Sequence, residues 1–207
     1  MPDLRQAPPH GLVAAGGDLE PGTLLAAYRG GIFPWPDPEG RLFWWSPDPR
    51  AVLPLDGFHA SRSLRRRCRG GAFTVTYDRD CAGVIDGCAA GRSEGTWITP
   101  AIRQAYLHLH DLGWVHSVEV WQDNALAGGL YGVAIGGFFA AESKFHRASD
   151  ASKMALAALV EHLAHRGFRL LDVQLPTAHL ASLGVVTIPR AEYLVCLRTA
   201  TASSVEW

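Results

Sequence analysis

Within Phe168-Arg-Leu-Leu-Asp-Val-Gln-Leu175, a carboxylate and a primary amide stand two residues apart in a largely apolar run. A strand alternates its side chains across a sheet, so Phe168, Leu170, Asp172 and Gln174 are expected on one face and Leu171, Val173 and Leu175 on the other. Asp172 and Gln174 would then neighbour each other in apolar surroundings, where a polar group without a partner costs about 1 to 3 kcal/mol. Two arrangements satisfy them. Asp172 can cap a loop while Gln174 bonds a backbone group. Alternatively, the two form a hydrogen-bonded pair that positions an attacking group, Gln174 accepting a hydrogen bond but unable to hold a proton. The strand alone leaves both open.

The elements around this strand follow from the apolar spacing. Pro21 to Arg29 reads as a helix with proline at its start and Gly30 at its end. Residues after Pro54, LDGFHASRSLRRRCRGG, read as a loose join, followed by a strand at Phe73 to Tyr77. Thr99 and Pro100 open a helix carrying Ile102, Ala105, Tyr106 and Leu109 on one face and closing at Gly113. Val115 to Trp121, Ala125 to Ile135 and Gly137 to Ser143 form an antiparallel meander. Ser149 or Asp150 caps a long helix that ends at Gly167, and the Phe168 strand follows. This strand–helix–strand crossover predicts a parallel neighbour and a mixed sheet. Pro189 opens a final helix through Leu197. The class is α+β, with a small unit over residues 1–56 and a larger one over 57–207.

Bulk properties narrow the chemistry. The 207 residues carry a net charge of −1, so a polyanionic partner must be met by a local patch. Arg62, Arg65, Arg66, Arg67 and Arg69 supply one, five guanidinium groups in eight residues that suit phosphates, or else form a solvated surface. Trp35, Trp44, Trp45 and Trp97 lie in turn-like sequence, where they serve as base-stacking platforms or core. The four cysteines show no CxxC pair and are expected to be reduced, and His108 and His110 point to different sides of one helix, so no metal site is expected. Ser152 and Lys153 diverge likewise and read as cap packing. The N-terminal MPDLRQAPPHG lacks a long apolar stretch, which predicts neither signal peptide nor membrane anchor and a cytoplasmic location.

The strings GLVAAGGDL, AYRGGIFPW, LFWWSPDPRAVLPL, EGTWIT, HSVEVW, GGLYGVAIGGFFAAES, ASKMAL and HLASLG occur in this order from about Gly11 to Leu197. Together they resemble the leucyl/phenylalanyl-tRNA-protein transferases. The resemblance implies a small N-terminal domain followed by a GNAT-type acyltransferase domain with a mixed, mostly antiparallel sheet. It implies transfer of Leu, Phe or Met from aminoacyl-tRNA to the α-amino group of proteins beginning with Arg or Lys, the N-degron pathway of protein degradation. By position, Asp172 and Gln174 match the family's catalytic pair, Glu142 an acidic residue of the site, and Trp35 and Trp97 tryptophans near the terminal adenosine. Leu130, Phe139, Leu156, Leu159, Leu163 and Leu171 would line a slot for the transferred side chain, and the arginine run would meet tRNA. A slot of this kind excludes β-branched residues by sterics, each methylene counting for about 1 to 3 kcal/mol. Two departures stand out: Lys144 replaces a methionine that helps line the slot, and the tail after Leu197 is short.

The aminoacyl ester is already activated, so the resemblance implies no cofactor. In this reading Gln174 accepts a hydrogen bond from the attacking amine, Asp172 orients Gln174 and stabilises the developing ammonium, and Glu142 holds the cationic acceptor or the amino acid's own amine. Lys144 leaves open the same transfer with altered aminoacyl specificity. A non-catalytic tRNA-binding module would explain the arginines and tryptophans without the strand pair. A coenzyme A-dependent acetyltransferase needs a glycine-rich turn before the long helix, where this chain has Phe145-His-Arg-Ala-Ser149.

Overall fold

Pro21 pre-sets the helical φ and Gly30 releases the chain, so the first helix, α1, runs over Pro21–Arg29 as expected. The computed structural model describes residues 2–90 and 95–207; Glu94, the first residue of EGTWIT, lies outside them. Strands β1 (Leu12–Ala15), β2 (Phe33–Pro34) and β3 (Phe43–Trp45) form an antiparallel sheet in the order β1-β3-β2. Trp44 and Trp45 therefore stand in a strand, not a turn. Trp44 is buried and its Nε1 donates to Gly16 O at 2.8 Å.

The large sheet contains β4 (Arg50–Val52), β5 (Thr74–Tyr77), β6 (Val115–Gln122), β7 (Ala125–Ile135), β8 (Phe138–His146), β9 (Leu170–Gln174) and β10 (Val186–Ile188). Their order is β10-β4-β9-β8-β7-β6-β5, antiparallel throughout except for the parallel pair β8 and β9. The mixed, mostly antiparallel sheet and its crossover are those the spacing predicts. The boundary is not: β4, within the stretch assigned to the small unit, is fully buried between β9 and β10. Three residues are too few to show a period, which is why the strand escaped notice.

The expected loose join holds a helix, α2 (Arg62–Arg69), capped by the Ser61 side chain and anchored by Leu64, its one buried residue. Its arginines leave no apolar stripe to read. Helix α3 (Cys81–Ala89), capped by Asp80, was not anticipated, since Gly83 and Gly87 lower its intrinsic propensity. Gly87 is required there, because a Cβ would meet the Phe145 ring at 2.5 Å. Helix α4 (Pro100–Asp111) is capped by Thr99. Helix α5 (Ala151–Arg166) starts after Asp150, whose φ of 66° prevents it from capping; its carboxylate instead accepts from Lys153 Nζ at 2.9 Å and lies 3.4 Å from Arg67 Nε. A short α6 (Ala178–Ala181) precedes α7 (Arg190–Thr201), which outruns the expected stop at Leu197.

The sheet separates two apolar clusters. Ile85, Ile102, Tyr106, Phe138 and Tyr193 pack with the small N-terminal sheet on one side. Leu130, Phe139, Leu156, Leu159 and Leu171 pack around α5 on the other.

Candidate active site

β8 and β9 pair through Phe138↔Leu170, Phe139↔Leu171 and Ala140↔Asp172, and beyond that point they part. A cleft of about 290 Å³ opens between them. Leu130, Ala141, Leu156, Val173 and Leu180 give it an apolar floor. Glu142, Ser143, Lys144, Gln174 and Thr177 add polar groups, and Trp35, Trp97 and Leu175 form its mouth.

Gln174 ends β9 with a φ of 59°, a left-handed conformation that costs a non-glycine residue about 1 to 3 kcal/mol and persists only where its surroundings hold it. The grip is visible. Asp172 Oδ1 accepts from Gln174 N at 2.9 Å, an Asx-type turn, and Leu175 N donates to Val173 O at 2.7 Å. Gln174 lines the cleft beside Val173, whereas Asp172 does not line it and is fully buried. The Gln174 amide is satisfied with its nitrogen donating to Ala141 O and Val173 O, each at 3.0 Å. That orientation stitches the parted strands together and turns the amide oxygen toward Glu142 Oε1, 3.4 Å away.

Asp172 has four donors. Arg50 Nε reaches Oδ1 at 2.9 Å, Arg50 Nη2 reaches Oδ2 at 2.6 Å, the Tyr193 hydroxyl donates to Oδ2 at 2.9 Å, and the Gln174 amide completes the set. Arg50 is itself buried, donates to Gly31 O at 3.2 Å, and lies between the rings of Phe33 at 4.8 Å and Tyr193 at 4.6 Å. Burial opposes the Arg50 charge, but the Asp172 carboxylate outweighs it and raises its pKa. A bidentate pair with every acceptor used is the geometry that makes a buried charge tolerable. Arg50 and Tyr193 were missed because they stand 122 and 21 residues from Asp172, beyond any local pattern.

Glu142 is enclosed by apolar and phenolic groups. Burial pushes its carboxyl up to about 8, and Asp172 adds to the rise against the opposing hydrogen bonds of Tyr28 and Tyr106. Tyr106 donates to Oε2 at 3.2 Å, and Tyr106 and Tyr28 share a hydrogen bond between their hydroxyls. At neutral pH Glu142 is a carboxylic acid, so its proton can bridge to the Gln174 oxygen. Neither tyrosine was singled out from the sequence.

Of the expected slot residues, Leu130 and Leu156 line the cleft, while Phe139, Leu159, Leu163 and Leu171 are buried in the core behind it. Leu159 and Leu163 follow Leu156 along α5 toward the paired part of the sheet, away from the opening. Lys144 lies opposite Leu130 in the sheet register and lines the cleft. Trp35 and Trp97 stack on each other at 5.5 Å and 29°, Trp97 buried and Trp35 39% exposed. The five arginines of α2 are exposed; Arg67 Nη1 also donates to Ser149 O at 3.2 Å. Arg62, Arg65, Arg66 and Arg69 border a separate surface hollow, and none of the five lines the cleft. The turn before α5 carries the Asp150 carboxylate, paired with Lys153 and Arg67.

Residues 52–198 match the family model described as leucyl/phenylalanyl-tRNA protein transferase, and residues 17–48 match that of its N-terminal domain. A leucyl/phenylalanyl-tRNA–protein transferase from Stutzerimonas stutzeri is 56% identical over 191 residues, covering 91% of this chain and 84% of its own length. One from Chromohalobacter salexigens is 53% identical over 204 residues, covering 96% and 80%. The chain belongs to this family. Among solved structures, a GCN5-related N-acetyltransferase from Kribbella flavida matches with a TM-score of 0.42 at 12% identity, covering 81% of this chain and 60% of that one. A conserved protein from Staphylococcus epidermidis matches with a TM-score of 0.47 at 10% identity, covering 86% and 68%.

In this transferase the two matched segments supply opposite sides of the site. Trp35 comes from the first; Trp97, Glu142, Asp172 and Gln174 come from the second. Arg50 falls in the short gap between the matched segments, on the strand that ties the N-terminal part into the large sheet.

Proposed function

We propose that the cleft between β8 and β9 is where this transferase moves Leu, Phe or Met from the terminal adenosine of an aminoacyl-tRNA to the α-amino group of a protein beginning with Arg or Lys. The observation that carries the reading is Gln174, held in a left-handed conformation with its amide oxygen at an apolar slot and its nitrogen fully bonded. The apolar floor suits an apolar side chain that is not β-branched, such as that of Leu, Met or Phe. The Trp35–Trp97 stack at the mouth supplies aromatic surface for the adenine, and the arginines of α2 supply charge for tRNA phosphates further out.

In the reaction the amine nitrogen forms a bond to the ester carbonyl carbon, the bond from that carbon to the ribose oxygen breaks, and the proton lost by the amine balances the proton gained by the ribose hydroxyl. Gln174 Oε1 accepts a hydrogen bond from the incoming amine and fixes its line of approach. Asp172 acts through the backbone of Gln174 and not as a base, because it is buried and fully bonded. Neutral Glu142 donates to the Gln174 oxygen and keeps it pointed at the cleft. Positioning supplies most of the rate, since the ester is activated and the amine is partly deprotonated near neutral pH. Lys144 keeps its amine toward the mouth and its methylenes along the floor. We place the activity in the cytoplasm, with the modified proteins marked for degradation by their new N-terminal residue.

Incubation with leucyl-, phenylalanyl-, methionyl- and acidic aminoacyl-tRNAs and an Arg-started peptide tests this reading. Ribonuclease-sensitive labelling is expected from the first three and absent from the acidic donor; no transfer from any donor sinks it.

A further inference from the structure

The cationic side chain of an Arg- or Lys-started acceptor needs a place to bind, and among the described residues the carboxyl groups at the cleft are already engaged. Among the described residues of the site, Asp172 is buried and committed to Arg50, Tyr193 and Gln174, and Glu142 receives the Tyr106 hydroxyl and faces the Gln174 oxygen. A second cavity, of about 260 Å³, adjoins the cleft. Phe33, Trp35, Trp45, His10, Pro47 and Leu175 line it. Trp35 and Leu175 line both cavities and so form the partition between them. Both are substantially exposed, at 39% and 41%, although each is a large apolar side chain.

We infer that this second cavity receives the N-terminal Arg or Lys side chain of the acceptor, held by the rings of Phe33 and Trp45; the inference rests on the function proposed above. Aromatic faces attract a cation through the ring quadrupole and also accept the aliphatic stem, so a box with no acidic residue still selects a guanidinium or ammonium group. The Trp45 Nε1–H donates to Trp35 O at 3.3 Å, which consumes its polar edge and leaves its ring for contact. Phe33 already serves a cation in this way on its other contact, Arg50 at 4.8 Å, whose charge Asp172 offsets. Leu175 follows Gln174 directly and borders both cavities, so the two cavities meet beside the proposed point of attack. This arrangement assigns each cavity one substrate: the aminoacyl group in the first, the acceptor's leading side chain in the second.

The test compares peptides beginning with Arg, Lys, citrulline and norleucine, with two readouts: direct binding by calorimetry and KM for transfer. The parent should bind the Arg and Lys peptides more tightly than the uncharged pair. Trp45→Leu keeps apolar bulk and removes the quadrupole, and should weaken Arg-peptide binding and raise its KM by about 3- to 10-fold, with a smaller change for the norleucine peptide. Trp45→Phe, which retains an aromatic face, should restore most of the preference and controls for misfolding. Equal losses for Arg and norleucine peptides in Trp45→Leu would make the cavity an apolar subsite and overturn the inference. So would transfer to Arg peptides with binding and KM indifferent to residue 45. Trp45-dependent binding of Arg peptides without transfer from any aminoacyl-tRNA would leave this subsite standing and remove the transferase reading instead.

Discussion

Removing Arg50 should separate what the buried ion pair does for stability from what it does for Gln174. Arg50→Met leaves the Asp172 carboxylate at 0% exposure with only the Tyr193 hydroxyl and the Gln174 amide as donors. Stranding one member of such a pair costs about 3 to 5 kcal/mol. Adding Asp172→Val removes the stranded charge and should return stability to within about 2 kcal/mol of the parent, the remaining deficit coming from the unpaired Gln174 N–H and Tyr193 hydroxyl. Transfer should not return with it, because the carboxylate that anchors the Gln174 amide at a φ of 59° is gone, and misplacement of about 1 Å costs on the order of 10²-fold in rate. The double variant Arg50→Met/Asp172→Asn keeps an oxygen for the Gln174 amide and should retain transfer within several-fold. Urea denaturation and single-turnover transfer, measured on the same preparations, give both quantities. A valine double variant that transfers at the parent's rate would refute the positioning argument, as would an Arg50→Met protein as stable as the parent.

Three further outcomes follow from the geometry. Trp35→Ala should raise the KM for aminoacyl-tRNA by about 5- to 150-fold, since base stacking is worth about 1 to 3 kcal/mol. Replacing Arg62, Arg65, Arg66 and Arg69 by glutamine should flatten the salt dependence of tRNA binding by about 0.7 to 0.9 in log–log slope for each phosphate no longer neutralised; Arg67 is spared because it bonds Ser149 and Asp150. Glu142 is raised from 4.5 to about 8, so between those values the unfolded chain has lost a proton that the native state keeps. Stability from this group is therefore full below about pH 4.5 and is lost as pH rises to about 8. Glu142→Gln should abolish that part of the pH slope; an unchanged slope in the variant would show that the carboxyl is not held neutral.

Much of the fold was legible because its elements announce their ends. Pro21 and Gly30, Thr99 and Pro100, and Gly167 each punctuate a helix by a local mechanism. The meander showed through its β-branched and aromatic runs. What stayed hidden had no local signature: a three-residue interior strand, a helix of arginines and a helix weakened by two glycines. Asp172 and Gln174 were legible as polar residues in an apolar strand, but period two cannot foresee the positive φ at Gln174. Asp172 partners Arg50 and Tyr193, which arrive from a different strand and a different helix, and only the assembled sheet brings them together.

Single-turnover transfer of labelled leucine from leucyl-tRNA to an Arg-started peptide, compared between the parent and Gln174→Ala, tests the central claim most directly. A fall on the order of 10²-fold or more in the variant, with the urea midpoint preserved and tRNA binding unchanged, is the predicted result. Transfer by Gln174→Ala at the parent's rate would contradict it.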